Sequence, residues 1–306
     1  MVQRPAHHFL LTSLVLILAG CGALNWEREP PYILVASWGG PGDAPGQFQD
    51  PTGIAVTDDE VFVADARNSR IQVFDKQGRF RRSFGEQILG RPMNLTVASE
   101  RLYVPDFFRD MVHVFSLSGK LLHQLEPPDG FDSPGGVGVY PDGSLLVADS
   151  YGQRIVHLAN DGSVIRQWQG QGYRAGRFNY PTDVAVSGDG SFYVADGYND
   201  RIQHFGPDGL IVHKWGGPMA LNIHGPFNGW FATVTSIAIG PRGDVFVADF
   251  YNNRIQKFSA EGTFLTSFGT KPLNGGHAVL SIAVDGDGSV WSTNLSTHRI
   301  EHWRRP

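Results

Sequence analysis

The run Pro51-Thr-Gly-Ile-Ala-Val56, followed by Val61-Phe-Val-Ala-Asp65, Arg70-Ile-Gln-Val-Phe74 and Arg79-Phe-Arg-Arg-Ser-Phe-Gly85, decides the fold because it returns along the whole chain. A second clear copy begins at Pro181-Thr-Asp-Val-Ala-Val186. Each copy holds four short segments rich in β-branched and aromatic residues, separated by turns that contain Gly, Asp or Pro. Four such segments predict four short strands, which we call a to d.

The acid that ends strand b sets the length of the repeat. It recurs at steps of 41, 43, 47, 53 and 45 residues as Asp65, Asp106, Asp149, Asp196, Asp249 and, as an amide, Asn294. Repeats of this length with four strands each are typical of propeller blades. The 38 glycines, 19 prolines and only 18% charged residues suit many short strands joined by tight turns. The sequence therefore predicts an all-β, six-bladed β-propeller.

The repeat resembles the NHL family, whose signature is a proline with Ile-Ala-Val, then Val-Ala-Asp, then Asn-x-Arg-Ile-Gln-x-Phe. The resemblance extends over about residues 33 to 304. Two copies depart from it: Met111 stands where the others have arginine, and Ser292-Thr-Asn294 replaces Val-Ala-Asp. The resemblance implies four-stranded blades, and the departures argue against six equivalent binding loops.

The sixth copy runs out at Pro306 before a fourth strand. The segment Ile33-Leu-Val-Ala-Ser-Trp-Gly39 reads like the fourth strands Val212–Gly216 and Phe264–Gly269, yet no first three strands precede it. Placing this segment on blade 6 closes the ring and removes an exposed sheet edge. We therefore predict a propeller over residues 33–306 that is closed by its N-terminal strand.

The first residues predict export from the cytoplasm. A weakly basic start with Arg4 precedes an almost unbroken apolar run, Phe9–Ala19, which suits a signal peptide and is too short to span a bilayer. The run ends in Leu18-Ala-Gly-Cys21, which resembles the lipobox of bacterial lipoproteins, and Cys21 is the only cysteine. The alternative is a plain secretory signal followed by a chance cysteine.

The lipobox resemblance implies a signal peptide over residues 1–20, a lipid on Cys21 and a tether over residues 21–32. Gly22 is not the aspartate that retains enterobacterial lipoproteins at the inner membrane, so we expect the bacterial cell envelope, at the outer membrane if the host has one. Loss of Arg4 leaves 24 basic and 30 acidic residues, a formal net charge of −6. That balance lacks the basic footprint of a nucleic-acid-binding protein, so we expect no nucleic-acid partner.

Antiparallel strand order places the b–c loops and the connections between blades on one face of the ring. The opposite face has tight Asp-Gly turns with little side-chain surface. Ligand binding is expected on the first face, because loops on a rigid scaffold vary without cost to the core. An insertion there, Gly217–Ala232, is expected either to form a lid or pocket wall over the axial depression or to pack across a shallow blade boundary. The candidate ligand-binding residues are Tyr151, Tyr198, Tyr251, Arg67, Arg109, Arg177, His224 and Trp230.

Two repeated features favour structural roles. A carboxylate at the end of strand b can accept backbone N–H groups of the following turn, and the arginine five residues later can pair with it or reach neighbouring carbonyls. A catalytic residue needs to occur once, whereas this pair recurs in nearly every blade. Three histidines share one position on strand c, too far from the axis to bind one metal ion, and are predicted to pack: His157, His204 and His302.

One blade has an enzymatic resemblance. The runs Phe178–Val186 and Tyr193–Tyr198 are similar to a blade of peptidyl-α-hydroxyglycine α-amidating lyase, a six-bladed NHL propeller with zinc on its axis. That resemblance implies a catalytic Tyr198 and zinc-binding histidines directly after the prolines that open strand a. The residues found at those positions are Thr52, Met93, Gly135 and Thr182.

These observations favour a non-catalytic scaffold that binds a protein, peptide or glycan at the cell envelope, with no cofactor and no metal. The alternative is an enzyme with an axial site, either amidating-lyase-like or lactonase- or hydrolase-like. The sequence contains neither a Gly-x-Ser-x-Gly elbow nor a His-Glu-x-x-His helix. Three inward histidines are what a catalytic zinc site needs to leave one position open.

Overall fold

A computed structural model describes residues 27–270 and 276–306, which form six four-stranded antiparallel sheets. The innermost strands of the six sheets contact one another in a closed ring, so the sheets are the blades of a β-propeller. Helix is limited, in these two ranges, to the short 3-10 turns Ala66–Asn68, Gly197–Asn199 and Pro218–Ala220. None of the described helices is long and apolar enough to cross a membrane.

Strands a to d follow chain order in blades 1 to 5, and blade 6 takes its outer strand from the N-terminal side. Blade 1 contains β2 Pro51–Val56, β3 Glu60–Asp65, β4 Arg70–Asp75 and β5 Phe80–Phe84; blade 2, β6 Thr96–Ala98, β7 Arg101–Asp106, β8 Met111–Ser116 and β9 Leu121–Leu125; blade 3, β10 Pro134–Val139, β11 Leu145–Asp149, β12 Arg154–Leu158 and β13 Val164–Gln169; blade 4, β14 Pro181–Val186, β15 Phe192–Asp196, β16 Arg201–Phe205 and β17 Ile211–Trp215; blade 5, β18 Val234–Ile239, β19 Val245–Asp249, β20 Arg254–Phe258 and β21 Phe264–Phe268; blade 6, β22 Val279–Val284, β23 Val290–Asn294, β24 Arg299–Arg304 and β1 Ile33–Gly39.

The core lies between the blades. Strands b and c are buried on both faces, which explains why Val61-Phe-Val-Ala64 is apolar without alternation. Neighbouring blades interdigitate in separate apolar clusters. The cluster between blades 6 and 1, for example, joins Trp291 and Ile300 to Phe48 and Phe74. Each blade therefore buries apolar surface against its neighbours, and an open ring would expose one such surface.

The predicted closure of the ring is confirmed. Strand β1 pairs antiparallel with β24, with Leu34 opposite Trp303 and Trp38 opposite Ile300. The Trp38 ring lies 5.5 Å from the Trp291 ring. The N-terminal strand thus supplies both the hydrogen bonds and the apolar cover that blade 6 lacks.

The chain before β1 lies against blade 5. The backbone N–H groups of Arg28 and Glu29 donate to Leu265 O at 2.7 and 3.1 Å. The Glu29 carboxylate accepts from buried Lys257 at 2.5 Å, and Tyr32 stacks on Phe268 with ring centroids 4.6 Å apart. These residues belong to the segment predicted as a tether. The predicted signal peptide and Cys21 lie outside the described residues.

The two faces of the ring differ as expected from the strand order. The a–b and c–d connections are tight turns, and the glycines that close Asp-Gly pairs adopt positive φ, as at Gly143 (86°) and Gly209 (72°). Only glycine adopts this conformation without strain. We call this side the turn face and the opposite side the loop face. The loop face carries the b–c loops and the connections between blades.

Candidate functional site

Each marker acid clamps the loop that precedes its own blade. In blade 4, Asp196 Oδ2 accepts from Arg201 Nε at 2.7 Å, and Asp196 Oδ1 accepts from Asn179 N at 2.7 Å. Arg201 also donates to the carbonyl groups of Arg174 and Arg177 at 3.0 and 2.9 Å. The equivalent ion pairs measure 2.6 to 2.8 Å in blades 1, 3 and 5: Asp65–Arg70, Asp149–Arg154 and Asp249–Arg254.

This clamp confirms the pairing of acid and arginine and corrects the expected backbone partner. In blades 1 to 5 the carboxylate accepts from backbone N–H groups of the loop before strand a, 15 to 17 residues upstream. In blade 2 the Asp106 carboxylate also accepts from the expected turn after strand b, from Phe108 N and Arg109 N at 3.2 Å each. Both members of the blade 4 pair are fully buried. The clamp therefore holds loop backbones in place and leaves loop side chains free to face a ligand.

The blades that depart from the repeat use other contacts. In blade 2, where Met111 replaces the arginine, His113 Nε2 lies 3.3 Å from Asp106 Oδ2. In blade 6, Asn294 Nδ2 donates to Glu301 Oε1 at 2.8 Å, while Arg299 reaches Ser37 on the closing strand.

An axial cavity of about 340 Å³ opens on the loop face. The residue after the proline that opens each repeat, or after its equivalent, contributes to its lining; it is the second residue of strand a in five blades and, in blade 2, lies three residues before β6. These six positions, one from each blade, are Thr52, Met93, Gly135, Thr182, Thr235 and Leu280. The cavity therefore lies on the axis, where all blades meet.

Four aromatic residues, which we call the aromatic arc, form one wall of this cavity: Phe107, Tyr151, Tyr180 and Tyr198. Their rings contact one another in sequence. Ring centroids are 5.5 Å apart for Phe107 and Tyr151, and 5.0 Å apart for Tyr151 and Tyr180 and for Tyr180 and Tyr198. Edge-to-face and tilted contacts of this kind fix ring orientation. The arc spans the b–c loops of blades 2, 3 and 4.

Two of the three predicted tyrosines belong to the aromatic arc. Tyr151 and Tyr198 line the cavity and are each about half exposed. Tyr251 does not line it and packs edge-to-face on His277 at 4.6 Å. Burial raises the pKa of Tyr198, and the neighbouring tyrosines raise it further: Tyr251, Tyr151 and Tyr180. Its hydroxyl is therefore a protonated donor at neutral pH, which does not suit a general base.

The three predicted arginines lie outside the cavity lining. Arg67 forms an ion pair with Asp50. Arg177 donates from Nη1 to Gln169 O at 2.6 Å, and Arg109 is exposed. The structure therefore brings no candidate arginine to the aromatic arc.

The insertion Gly217–Ala232 packs across blades 4 and 5 and does not line the cavity. Arg254 and Gln256 donate to Trp230 O at 3.0 and 2.7 Å, and the Trp230 ring lies 5.1 Å from the Phe227 ring. His224 is exposed on the same segment. Of the two arrangements expected for this segment, the packing across a blade boundary is the one observed.

Below the cavity, the next residue of each repeat faces the axis; it is the third residue of strand a in five blades and, in blade 2, is Asn94, two residues before β6. Asn94 crosses the axis: Asn94 Nδ2 donates to Thr235 O at 3.0 Å and to Thr182 O at 3.4 Å, so blade 2 is bonded to blades 5 and 4. Beyond Asn94 a second axial cavity of about 290 Å³ extends toward the turn face. We call these six residues the axial ring: Gly53, Asn94, Gly136, Asp183, Ser236 and Ser281.

Asp183 is the only acid in the axial ring. Its Oδ2 accepts from Ser236 Oγ at 2.9 Å and from Ile237 N at 3.0 Å, both on blade 5, and its Oδ1 accepts from Val184 N at 2.9 Å. Gly136 makes room for it, because a Cβ there would lie 2.1 Å from Asp183 Oδ1. Burial raises the pKa of Asp183 to about 7, although these three hydrogen bonds lower it.

The cavity does not fit the zinc site that the lyase resemblance implies. None of the six repeat positions that line it carries an imidazole. Among the residues that the structure describes, no three His, Cys, Asp or Glu side chains are grouped to hold a metal ion. The three strand c histidines contact neighbouring rings, as expected for packing residues. His204 stacks on Tyr193 at 4.3 Å and His302 on Trp291 at 3.7 Å, while His157 is tilted against Tyr140 at 4.5 Å.

Sequence reasoning missed Phe107, Tyr180, Asn94 and Asp183. Tyr180 directly precedes the proline that opens strand a, in the run already singled out for its enzymatic resemblance. Asn94 and Asp183 occupy the third position of the repeat, counted from its opening proline, where the other four copies have Gly or Ser. A comparison of the six copies at this one position would have marked both residues as exceptions.

The NHL repeat model matches residues 48–74, 178–205 and 231–258, which are strands a to c of blades 1, 4 and 5 with the residues just before them. The protein called brain tumor from Drosophila melanogaster is 28% identical over 134 residues, which is 40% of this chain and 13% of that protein. The chain thus spans only a small part of this relative.

Solved structures share the propeller fold. A streptogramin B lyase has a TM-score of 0.65 and 16% identity, covering 92% of this chain and 100% of its own. A Bacteroides thetaiotaomicron protein of unknown function has a TM-score of 0.69 and 14% identity, covering 89% of this chain and 75% of its own. The chain therefore carries NHL repeats and folds as a six-bladed β-propeller.

Proposed function

We propose that this protein is a cell-envelope lipoprotein whose propeller is a non-catalytic binding scaffold, and that its protein, peptide or glycan ligand sits over the axial cavity of the loop face. The observation that carries this proposal is the aromatic arc, four contacting rings around an open axial cavity. Large rings at a cavity mouth contribute most of the binding energy where a ligand desolvates them.

We do not propose catalysis, because the residues around the axial cavity do not provide the groups that the lyase resemblance implies. Burial, followed by the neighbouring tyrosines, raises the pKa of Tyr198, and no cation in the described part of the chain favours its ionised form. The positions that would hold a zinc ion in an amidating lyase carry Thr, Met and Gly. If lyase chemistry nevertheless occurs, Tyr198→Phe should abolish turnover of a hydroxyglycine peptide, and measurable wild-type turnover would overturn the proposal.

The N-terminal segment supports an orientation on the membrane. Its contacts with Leu265 and Lys257 lie near the start of β21 and the end of β20, which is the turn-face side of blade 5. Cys21 is six residues before Glu27, a reach of about 20 Å when extended. A lipid at Cys21 would therefore keep the turn face near the membrane and direct the aromatic arc away from it.

Membrane attachment is tested by Cys21→Ser. The wild-type protein should fractionate with membranes, and the variant should be released into the soluble fraction. Unchanged fractionation would refute the lipid anchor.

The binding face is tested by photocrosslinking in intact cells. A photoreactive residue replaces Phe108 on the loop face or Leu210 on the turn face, which are similarly exposed at 65% and 62%. We expect crosslinked products from position 108 and none from position 210. Products from position 210 alone would refute the proposed face.

A further inference from the structure

The axial cavity of the loop face has an amphipathic lining. The aromatic arc supplies ring faces, and Met93 and Leu280 supply aliphatic surface. The hydroxyls of Tyr151, Tyr180 and Tyr198 have no hydrogen-bond partner in residues 27–270 and 276–306. They are therefore available to a ligand, and an entirely apolar ligand would desolvate them without compensation.

The lining contains no charged side chain. None of the twelve residues around this cavity is Asp, Glu, Lys, Arg or His. The nearest acid along the axis, Asp183, lies in the axial ring and lines the second cavity instead. A charged group placed in the upper cavity would lose hydration without gaining a counter-charge. The part of the ligand that enters the cavity is therefore uncharged.

The cavity is small and closed below. Its volume of about 340 Å³ is at the lower end of the range for ligand pockets, about 300–1,000 Å³. Asn94 crosses the axis beneath it and bonds to Thr235 O and Thr182 O. A ligand can thus insert one end from the loop face but cannot pass through the ring, which selects the end of a chain.

We infer that the cavity binds the uncharged terminal sugar ring of a glycan. A pyranose has an apolar C–H face, which stacks on an aromatic ring, and a rim of hydroxyls, which match the free tyrosine hydroxyls. An apolar peptide side chain would meet the rings and leave those hydroxyls unpaired. This inference rests on the proposed function and names the ligand class of the same site.

The test is calorimetric binding to the full-length protein in detergent. The probes are oligosaccharides ending in glucose, galactose, mannose or N-acetylglucosamine, matched glycans ending in a uronic or sialic acid, and a set of neutral peptides. The variants are Tyr180→Ala, which breaks the aromatic arc, and Tyr198→Phe, which removes one hydroxyl. Leu210→Ala on the turn face is the control, and thermal melting confirms that each variant is folded.

We expect at least one neutral oligosaccharide to bind and its acidic counterpart to bind tenfold or more weakly. Tyr180→Ala should weaken binding of the neutral sugar tenfold or more, and Tyr198→Phe should weaken it several-fold. Leu210→Ala should leave the binding unchanged. Absence of any neutral-sugar binding, or binding indifferent to both tyrosine variants, overturns the inference. If a neutral peptide binds and Tyr180→Ala abolishes that binding, the inference of a sugar ligand is wrong. The proposed binding face would still be correct, because the peptide would bind at the aromatic arc.

Discussion

Replacing Asp183 by asparagine should change how stability depends on pH. The carboxyl group is fully buried against blade 5 and has no cationic partner among the residues described, so its charged form is disfavoured. Its pKa rises from 3.8 to about 7 on folding. Between those values the folded protein holds a proton that the unfolded chain has lost, and stability from this group falls as pH rises.

The magnitude follows from the size of the shift. Each pKa unit corresponds to about 1.4 kcal/mol, so a rise from 3.8 to about 7 costs on the order of 4 kcal/mol of unfolding free energy across that window. The contribution is fully present below pH 3.8 and is lost as pH rises through about 7. Asp183→Asn removes the titrating group, so the variant should not show this decline.

The assay is urea unfolding of both proteins at intervals from pH 4.5 to 8. The variant should gain stability relative to wild type as pH rises, by about 1.4 kcal/mol per unit in the steep part. Asp161→Asn on an exposed turn is the control and should not reproduce this gain. If the difference between Asp183→Asn and wild type is the same at every pH, Asp183 does not titrate as argued, and the account of the axial ring is wrong.

Three further perturbations test the architecture by denaturant or thermal unfolding. Arg201→Met should cost about 3–5 kcal/mol because it leaves buried Asp196 without its cation. Arg299→Met, at the same repeat position, should cost about 1 kcal/mol or less, because Arg299 forms no ion pair with a carboxylate in the described ranges; equal losses would contradict the clamp. Asn94→Ala should cost about 1–3 kcal/mol by removing the hydrogen bonds across the axis, and an unchanged midpoint would contradict that role. Deleting residues 33–38 exposes apolar surface worth ~25 cal/mol per Å² and should lower the melting temperature or cause aggregation; a deletion that melts like the parent would contradict the closure.

The fold was predictable because the same four-strand pattern recurs six times in the sequence. Strand positions, the pairing of acid with arginine and the need for an outer strand on blade 6 all follow from one copy and its recurrence. The site was only partly predictable, since Tyr151 and Tyr198 share a loop position that the repeat reveals. Tyr180 and Asn94 were missed because their importance depends on the convergence of six strands at the axis. No single copy shows which residues from different blades meet there.

Repetition and exception have separate physical roles in this ring. The clamp recurs because every loop must be held, and it holds them by backbone amides and carbonyls, as Arg201 does, so it tolerates any loop side chain. The axis cannot be uniform in the same way. An aspartate like Asp183 in every blade would bring six buried carboxyl groups together. An asparagine like Asn94 in every blade would not fit either, because a Cβ at the position of Gly53 would lie only 2.0 Å from Met93 O. The residue that each blade contributes to the axial ring therefore has to differ. The cavity above the axial ring is asymmetric as well, with the aromatic arc on one side only.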